Sequence, residues 1–352
     1  MLLNDLLKKE NNNLDLFRLI AAFMVIYAHA YPLLPTPGKQ DPLLTITWFE
    51  DIGGLAVKIF FFLSGLLVTN SLLIKKNIIT FIISRLFRIY PALITLLIIT
   101  TFIIGPLFSS LSFYDYYTSP LTHIYFFNNL ILKTAYFLPG VFVHNPYPLF
   151  NGSLWTLPFE ATCYILLSVF FLLGGFRFKG MIILIFIILV IDTIYNNHLV
   201  ITWYANGNHR ETLLAPSFSF GCLLAVYKHY IKINLWIVLA SFSLFVIFGH
   251  SAYNFYFFYL CVFISILYIS SLKFIIKVKF SADISYGVYL WAFPIQQIII
   301  LEFPQYNLLF NQIISMIIAS IAGLLSWYCI EKNSICLGKY INKKLQLTKT
   351  IR

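Results

Sequence analysis

Residues 14–30 read LDLFRLIAAFMVIYAHA, an apolar run broken by Asp15, Arg18 and His29, and the fold turns on how a helix accommodates the last two. Eleven residues at about 100° each carry the chain roughly 20° past three full turns, with a rise of about 16 Å. Arg18 and His29 therefore share one helix face. A charged side chain at the centre of a membrane helix costs at least ~2.5 kcal/mol, so each of the two is a functional candidate until a cheaper account is found. Arg18 is close enough to one end of the run to snorkel. His29 lies past the bilayer midpoint, where it either bonds a neighbouring carbonyl as a structural histidine or belongs to a polar cleft.

The rest of the chain repeats this pattern. Of its 352 residues 60% are hydrophobic and only 11% charged, with a mean hydropathy of +0.84; soluble domains carry about one-quarter charged residues. Apolar runs at 15–33, 54–74, 89–106, 157–175, 180–195, 212–227, 233–250, 253–272, 283–301 and 307–330 predict an all-α integral membrane protein of about ten transmembrane helices. No repeat or linker marks a second domain, so 1–352 reads as one membrane domain. It has a polar N-terminal segment at 1–13 and a basic tail at 331–352, and the first span is expected to stay as an anchor because no cleavage site follows it.

A further apolar stretch, 121–138, holds His123, Asn128, Asn129 and Lys133. Basic residues decide its place. With ten spans and both termini cytoplasmic, the inner segments hold Lys8, Lys9, Lys75, Lys76, Arg85, Arg88, Arg177, Lys179, Lys228, Lys232, Lys273, Lys277, Lys279 and the charges of the tail, and the outer ones keep Lys39, Lys133 and Arg210. Counting 121–138 as a span would put the cations from Arg177 to Lys279 outside. The stretch is therefore expected to be re-entrant or interfacial.

The net charge of +11 is thus explained by orientation, and nucleic acid is not an expected partner. The five cysteines form no C-x-x-C or Cys/His pattern, so neither a disulfide nor a metal is expected. The chain has no G-x-S-x-G, Walker, G-x-G-x-x-G or H-E-x-x-H motif.

Three more polar positions stand out. Glu160, in NGSLWTLPFEATCY, is either functional or an acidic first-turn residue favoured by the helix dipole after Pro158. Arg85 and Arg88, in SRLFRIYPAL, lie three apart on one face just before Pro91, which is expected to open the third span. Two forked guanidiniums suit a polyanionic phosphate ligand, and equally suit topology anchoring beside Lys75 and Lys76. Lys58, near the outer end of the second span, is read as snorkelling or pairing with Glu50 or Asp51, without a functional role.

In chain order, Arg18 and His29, FFLSGLL at 61–67, R-x-x-R-x-x-P at Arg85, Arg88 and Pro91, SLWTLPFE at 153–160 and ISYGVYLWAFPIQQ at 284–297 resemble the acyltransferase-3 family. Its members O-acylate lipopolysaccharide, capsule, exopolysaccharide and peptidoglycan. The resemblance covers most of the chain. It implies transfer of an acyl group, usually acetyl, from cytoplasmic acyl-CoA to a hydroxyl of a surface polysaccharide or its lipid-linked precursor, in the bacterial inner membrane. On this reading His29 is the general base in a cleft that also holds Arg18, and Glu160 orients or polarises the site. Arg85 and Arg88 hold the CoA phosphates, Trp155 stacks on a sugar ring, and Ser153 joins it in the acceptor site. Two departures bear on this. Many members carry histidine after YLW where this chain has Ala292, so no second catalytic histidine is carried over, and no appended periplasmic domain is expected after the basic tail. The rival reading is a glycolipid transporter or flippase, whose translocation path would also need buried Arg, His and Glu.

Overall fold

The computed structural model describes residues 1–194, 213–278 and 280–350. Residues 195 and 212, at the ends of two expected spans, and Arg210, Lys279 and Arg352 of the charge argument lie outside them. The main helices are α1 (Leu14–Leu33), α2 (Ile52–Lys75), α3 (Ile78–Ile99), α4 (Pro120–Leu130), α5 (Thr156–Leu172), α6 (Lys179–Ile194), α7 (Leu214–Val226), α8 (Leu235–Ile247), α9 (Asn254–Ser270), α10 (Ser285–Glu302), α11 (Leu308–Ser326) and α12 (Lys332–Thr350). No strand forms among the described residues. Each expected span overlaps a helix, and five helical stretches are long and apolar enough to cross a membrane: Leu14–Leu33, Ile52–Lys75, Ile78–Leu107, Gly152–Leu172 and Leu308–Leu345. The chain is a multi-pass membrane protein.

One boundary differs from expectation. Pro91 lies inside α3 rather than at its start, because Asn77 caps the helix by accepting from the Thr80 amide at 3.0 Å. A proline in a helix interior removes one backbone hydrogen bond, which membrane helices tolerate because neighbouring polar groups and local backbone adjustment satisfy the freed carbonyl. The stretch 121–138 forms no helix of spanning length, in keeping with its expected place. Its helical part, α4, has 11 residues, about 16 Å against a hydrocarbon core of about 30 Å. The chain then turns through Leu132, whose φ is +60°, with Asn129 bonded to both backbone groups flanking the turn, Tyr125 O and Ala135 N.

The helices form two compact units, each assembled from three separate stretches of chain. The first holds 1–21, 54–76 and 162–281. At one of its ends the Met1 amino group donates to Ile233 O (2.9 Å), Asn4 N to Lys228 O (3.0 Å) and Asn13 N to Ser270 O (3.0 Å). The segments that charge assigns to the cytoplasm, 1–13, 228–233 and 270–278, therefore gather on one side of that unit. Within it α2 and α7 cross at their backbones: a Cβ on Gly65 would lie 2.0 Å from Phe218 O, and one on Gly221 2.3 Å from Phe62 O. Small residues at helix crossings are the usual means of close approach in a membrane, and they account for the glycine of FFLSGLL. Lys58 does not snorkel; it is 2% exposed, with its ammonium 5.4 Å from the Tyr259 ring.

The second unit holds 22–53, 77–161 and 282–352. Its core packs α3 and α10 with Tyr116, Tyr125, Phe142 and Phe150 of the segment around α4. α10 and α11 pack so closely that a Cβ on Gly287 would lie 2.9 Å from the Gly323 Cα. The tail is helical: α12 continues α11 through a π-helical turn at Trp327–Glu331 and packs on α3, with a Cβ on Gly338 meeting the Phe87 side chain at 3.0 Å.

Candidate active site

The site is built in the second unit around Phe293 of α10, which is 4% exposed. The half-buried His29 ring of α1 meets the Phe293 ring edge-on, with centroids 5.2 Å apart and planes at 76°. His29 Nδ1 is shielded from solvent. Phe293 also faces Gly152, where a Cβ would stand 2.5 Å from its ring, so a side chain there would displace the phenyl. One aromatic ring thus carries the histidine on one contact and the start of the SLWTLPFE segment on another.

That segment is fixed by polar contacts with α10. Asn151 accepts from Ser153 N (3.0 Å) and donates to Leu290 O (3.1 Å). The Tyr289 hydroxyl donates to Ser153 O (2.8 Å) and therefore accepts from Thr156 Oγ1 (2.7 Å). Ser153 itself is fully buried, and its hydroxyl has no hydrogen-bond partner among the described residues. Trp155 is half-buried, its ring edge-on to Phe159 at 5.7 Å.

Glu160 is also half-buried, and its position removes the bland explanation for it. A tight helical turn at Gly152–Trp155 precedes α5, so Glu160 lies in the second turn of that helix and eight residues into a continuous helical stretch. The helix-dipole benefit to a carboxylate falls off beyond the first turn. Arg18, eleven residues before His29 on the same helix, is assigned to the first unit and has Nη1 3.9 Å from Asp15 Oδ1.

His29 is anchored from behind. Gln296 donates to Ile26 O (2.9 Å) and Gln312 to Tyr27 O (3.0 Å), both carbonyls lying in the turn before the histidine. Two residues after His29 the helix reaches a cavity of about 560 Å³ lined by Tyr31, Thr36, Gly38, Lys39, Gln40 and Thr45. Ala292, beside Phe293, is fully buried.

The two arginines sit in the second and third turns of α3. Arg88 is not presented to solvent: Nη2 donates to Asp283 Oδ2 (2.8 Å) and Nη1 to Glu331 Oε2 (3.0 Å). Asp283, Glu331, Phe293 and Gly152 were not singled out from the sequence. Glu331, the acidic residue at the end of the last apolar run, is the one that carried a signal.

These features define a membrane-embedded helical protein with a buried polar site around a histidine. Residues 11–332 match the model of the acyltransferase-3 family, described as an acyltransferase domain. The chain is 31% identical over 343 residues to an O-acetyl transferase of Shigella phage Sf6, covering 92% of this chain and 96% of that one. It is 33% identical over 171 residues to nodulation protein 10 of Rhizobium leguminosarum bv. viciae, covering 45% of this chain and 43% of the relative. No solved structure matches it. The chain belongs to the acyltransferase-3 family, and it is an enzyme, an acyltransferase of the O-acetyltransferase kind. This decides against the transporter reading.

Proposed function

We propose that the enzyme takes an acetyl group from cytoplasmic acetyl-CoA and transfers it to a hydroxyl of a cell-surface polysaccharide or its lipid-linked precursor. It does so from the bacterial inner membrane, with ten spans and both termini cytoplasmic. The observation that carries the reading is the packing of His29 and the SLWTLPFE segment on the same Phe293 ring. The ring thus supports both the histidine and the turn that leads into Ser153 and Trp155, and the likeness to the Sf6 O-acetyl transferase supports acetyl as the group moved.

In the proposed step His29 takes the proton of the acceptor hydroxyl as its oxygen attacks the thioester carbonyl carbon. The C–O bond forms, the C–S bond breaks, and the CoA thiolate leaves and is protonated. General-base assistance of this kind contributes about 100-fold to 10,000-fold in rate. Glu160 polarises the site, Ser153 bonds the acceptor, and Trp155 stacks on its ring. The cavity beyond Tyr31 admits the sugar, and Arg85 lies on the donor side. The test is to supply membranes containing the protein with acetyl-labelled acetyl-CoA and isolated surface glycan. A glycan mass gain of one acetyl group per modified residue is expected. Label that stays on CoA in the presence of every surface glycan of the host would overturn the reading.

A further inference from the structure

A single guanidinium joins three elements of the second unit. Arg88 of α3 binds Asp283, just before α10, and Glu331, at the end of the π-turn between α11 and α12. The side chains are 13%, 22% and 1% exposed, so the cluster is screened from water. Both carboxylates have further donors: Ser285 Oγ to Asp283 Oδ1 (2.8 Å) and Ser326 Oγ to Glu331 Oε1 (2.9 Å). The Tyr286 ring lies 5.7 Å from the guanidinium, and its hydroxyl donates to Ile89 O at 3.1 Å. A Cβ on Gly287 would stand 3.1 Å from Glu331 Oε1, so α10 leaves the carboxylate little room to move.

This arrangement bears on how the donor is held. Both terminal nitrogens of Arg88 are engaged, and the cluster sets one cation against two carboxylates, a local balance that repels a polyanion. We propose that Arg88 is a positioning residue and not a phosphate ligand: with Asp283 and Glu331 it fixes α3 against α10 and the π-turn, so that Arg85, one turn earlier on the same face, meets the donor phosphates. The inference rests on the acyl-CoA reading above for the role of Arg85, and on the ion-pair geometry alone for the clamp. Lysine is not a substitute here, since one ammonium does not span two carboxylates as a planar fork does.

The test is a double-substitution cycle in the full-length protein, comparing Arg88→Gln, Glu331→Gln and the pair, with Arg85→Gln alongside. A clamp predicts that Glu331→Gln raises the KM for acetyl-CoA at least threefold, in the same direction as Arg88→Gln. The pair should be no worse than the poorer single variant, while Arg85→Gln raises KM tenfold or more and leaves Tm unchanged. A phosphate-binding Arg88 predicts the opposite sign, because removing the Glu331 charge would free the guanidinium and lower KM; that result, or additive effects in the pair, overturns the proposal. Tm read without donor separates the two layers. Lowered and non-additive Tm values for the Arg88 and Glu331 variants support the clamp even if the wild type consumes no acetyl-CoA, which would defeat the donor reading alone.

Discussion

His29 sits where its ring is held by Phe293 and its helix by Gln296 and Gln312, so replacing it removes basicity without removing the supports around it. His29→Ala is expected to insert at normal abundance and to lose about 100-fold to 10,000-fold in acyl transfer. His29→Gln should be no better, since it keeps hydrogen bonding but not the ability to take a proton near neutral pH. Membrane immunoblots and glycan mass spectrometry give the two readouts. Near-normal acylation by well-expressed His29→Ala would remove the histidine from the mechanism. At the same scale Glu160 shows what residue spacing misses. The proline two residues before it pointed to a helix start, yet the helical path begins at Gly152 and carries the carboxylate a turn deeper.

Elements are set against each other here by glycines and single rings as well as by polar contacts. Gly65 meets the Phe218 carbonyl of α7, and because the obstacle is backbone, no rotamer change relieves it. Overpacking of this kind costs about 1 to 3 kcal/mol. Gly65→Val is therefore expected to lower membrane abundance and Tm, and Gly180→Ala, where nothing lies within 4 Å of the added carbon, to leave both unchanged. Gly152 differs in kind, since its obstacle is the Phe293 ring that also supports His29. Gly152→Ala should lower turnover more than Tm, a separation that activity and melting measured on one purified sample would show. Equal losses would mean that the ring has only a packing role.

At the scale of the whole molecule the ten-span plan makes a claim about sides. Single cysteines replacing Phe178, Phe274 or Tyr114, all exposed, should react with an impermeant thiol reagent from opposite faces when Cys329 and Cys336 are also replaced. The first two are expected to label only from the cytoplasm and Tyr114→Cys only from outside. Labelling of Phe178→Cys from outside would reverse the orientation of every later helix. The hydrogen bonds that tie Met1, Asn4 and Asn13 to 228–233 and 270 already place those segments at one end of their unit, the arrangement the positive-inside count requires.

What the sequence by itself determined was the solvent of this protein, the helical runs and the motifs of the family. Each of these is written in local composition: apolar length sets a span, and FFLSGLL, SLWTLPFE and YLWAFPIQQ are contiguous strings. Tertiary structure decided which of those strings meet. That Phe293 joins His29 to Gly152, or that Arg88 binds two carboxylates 195 and 243 residues away, follows from the packing of distant helices. A single chain carries no local mark of which polar residue will answer which. The charge pair Arg85 and Arg88 read equally as phosphate ligands and as topology anchors, because spacing puts them on one face. The burial of Arg88 against two carboxylates is imposed only by the folded packing.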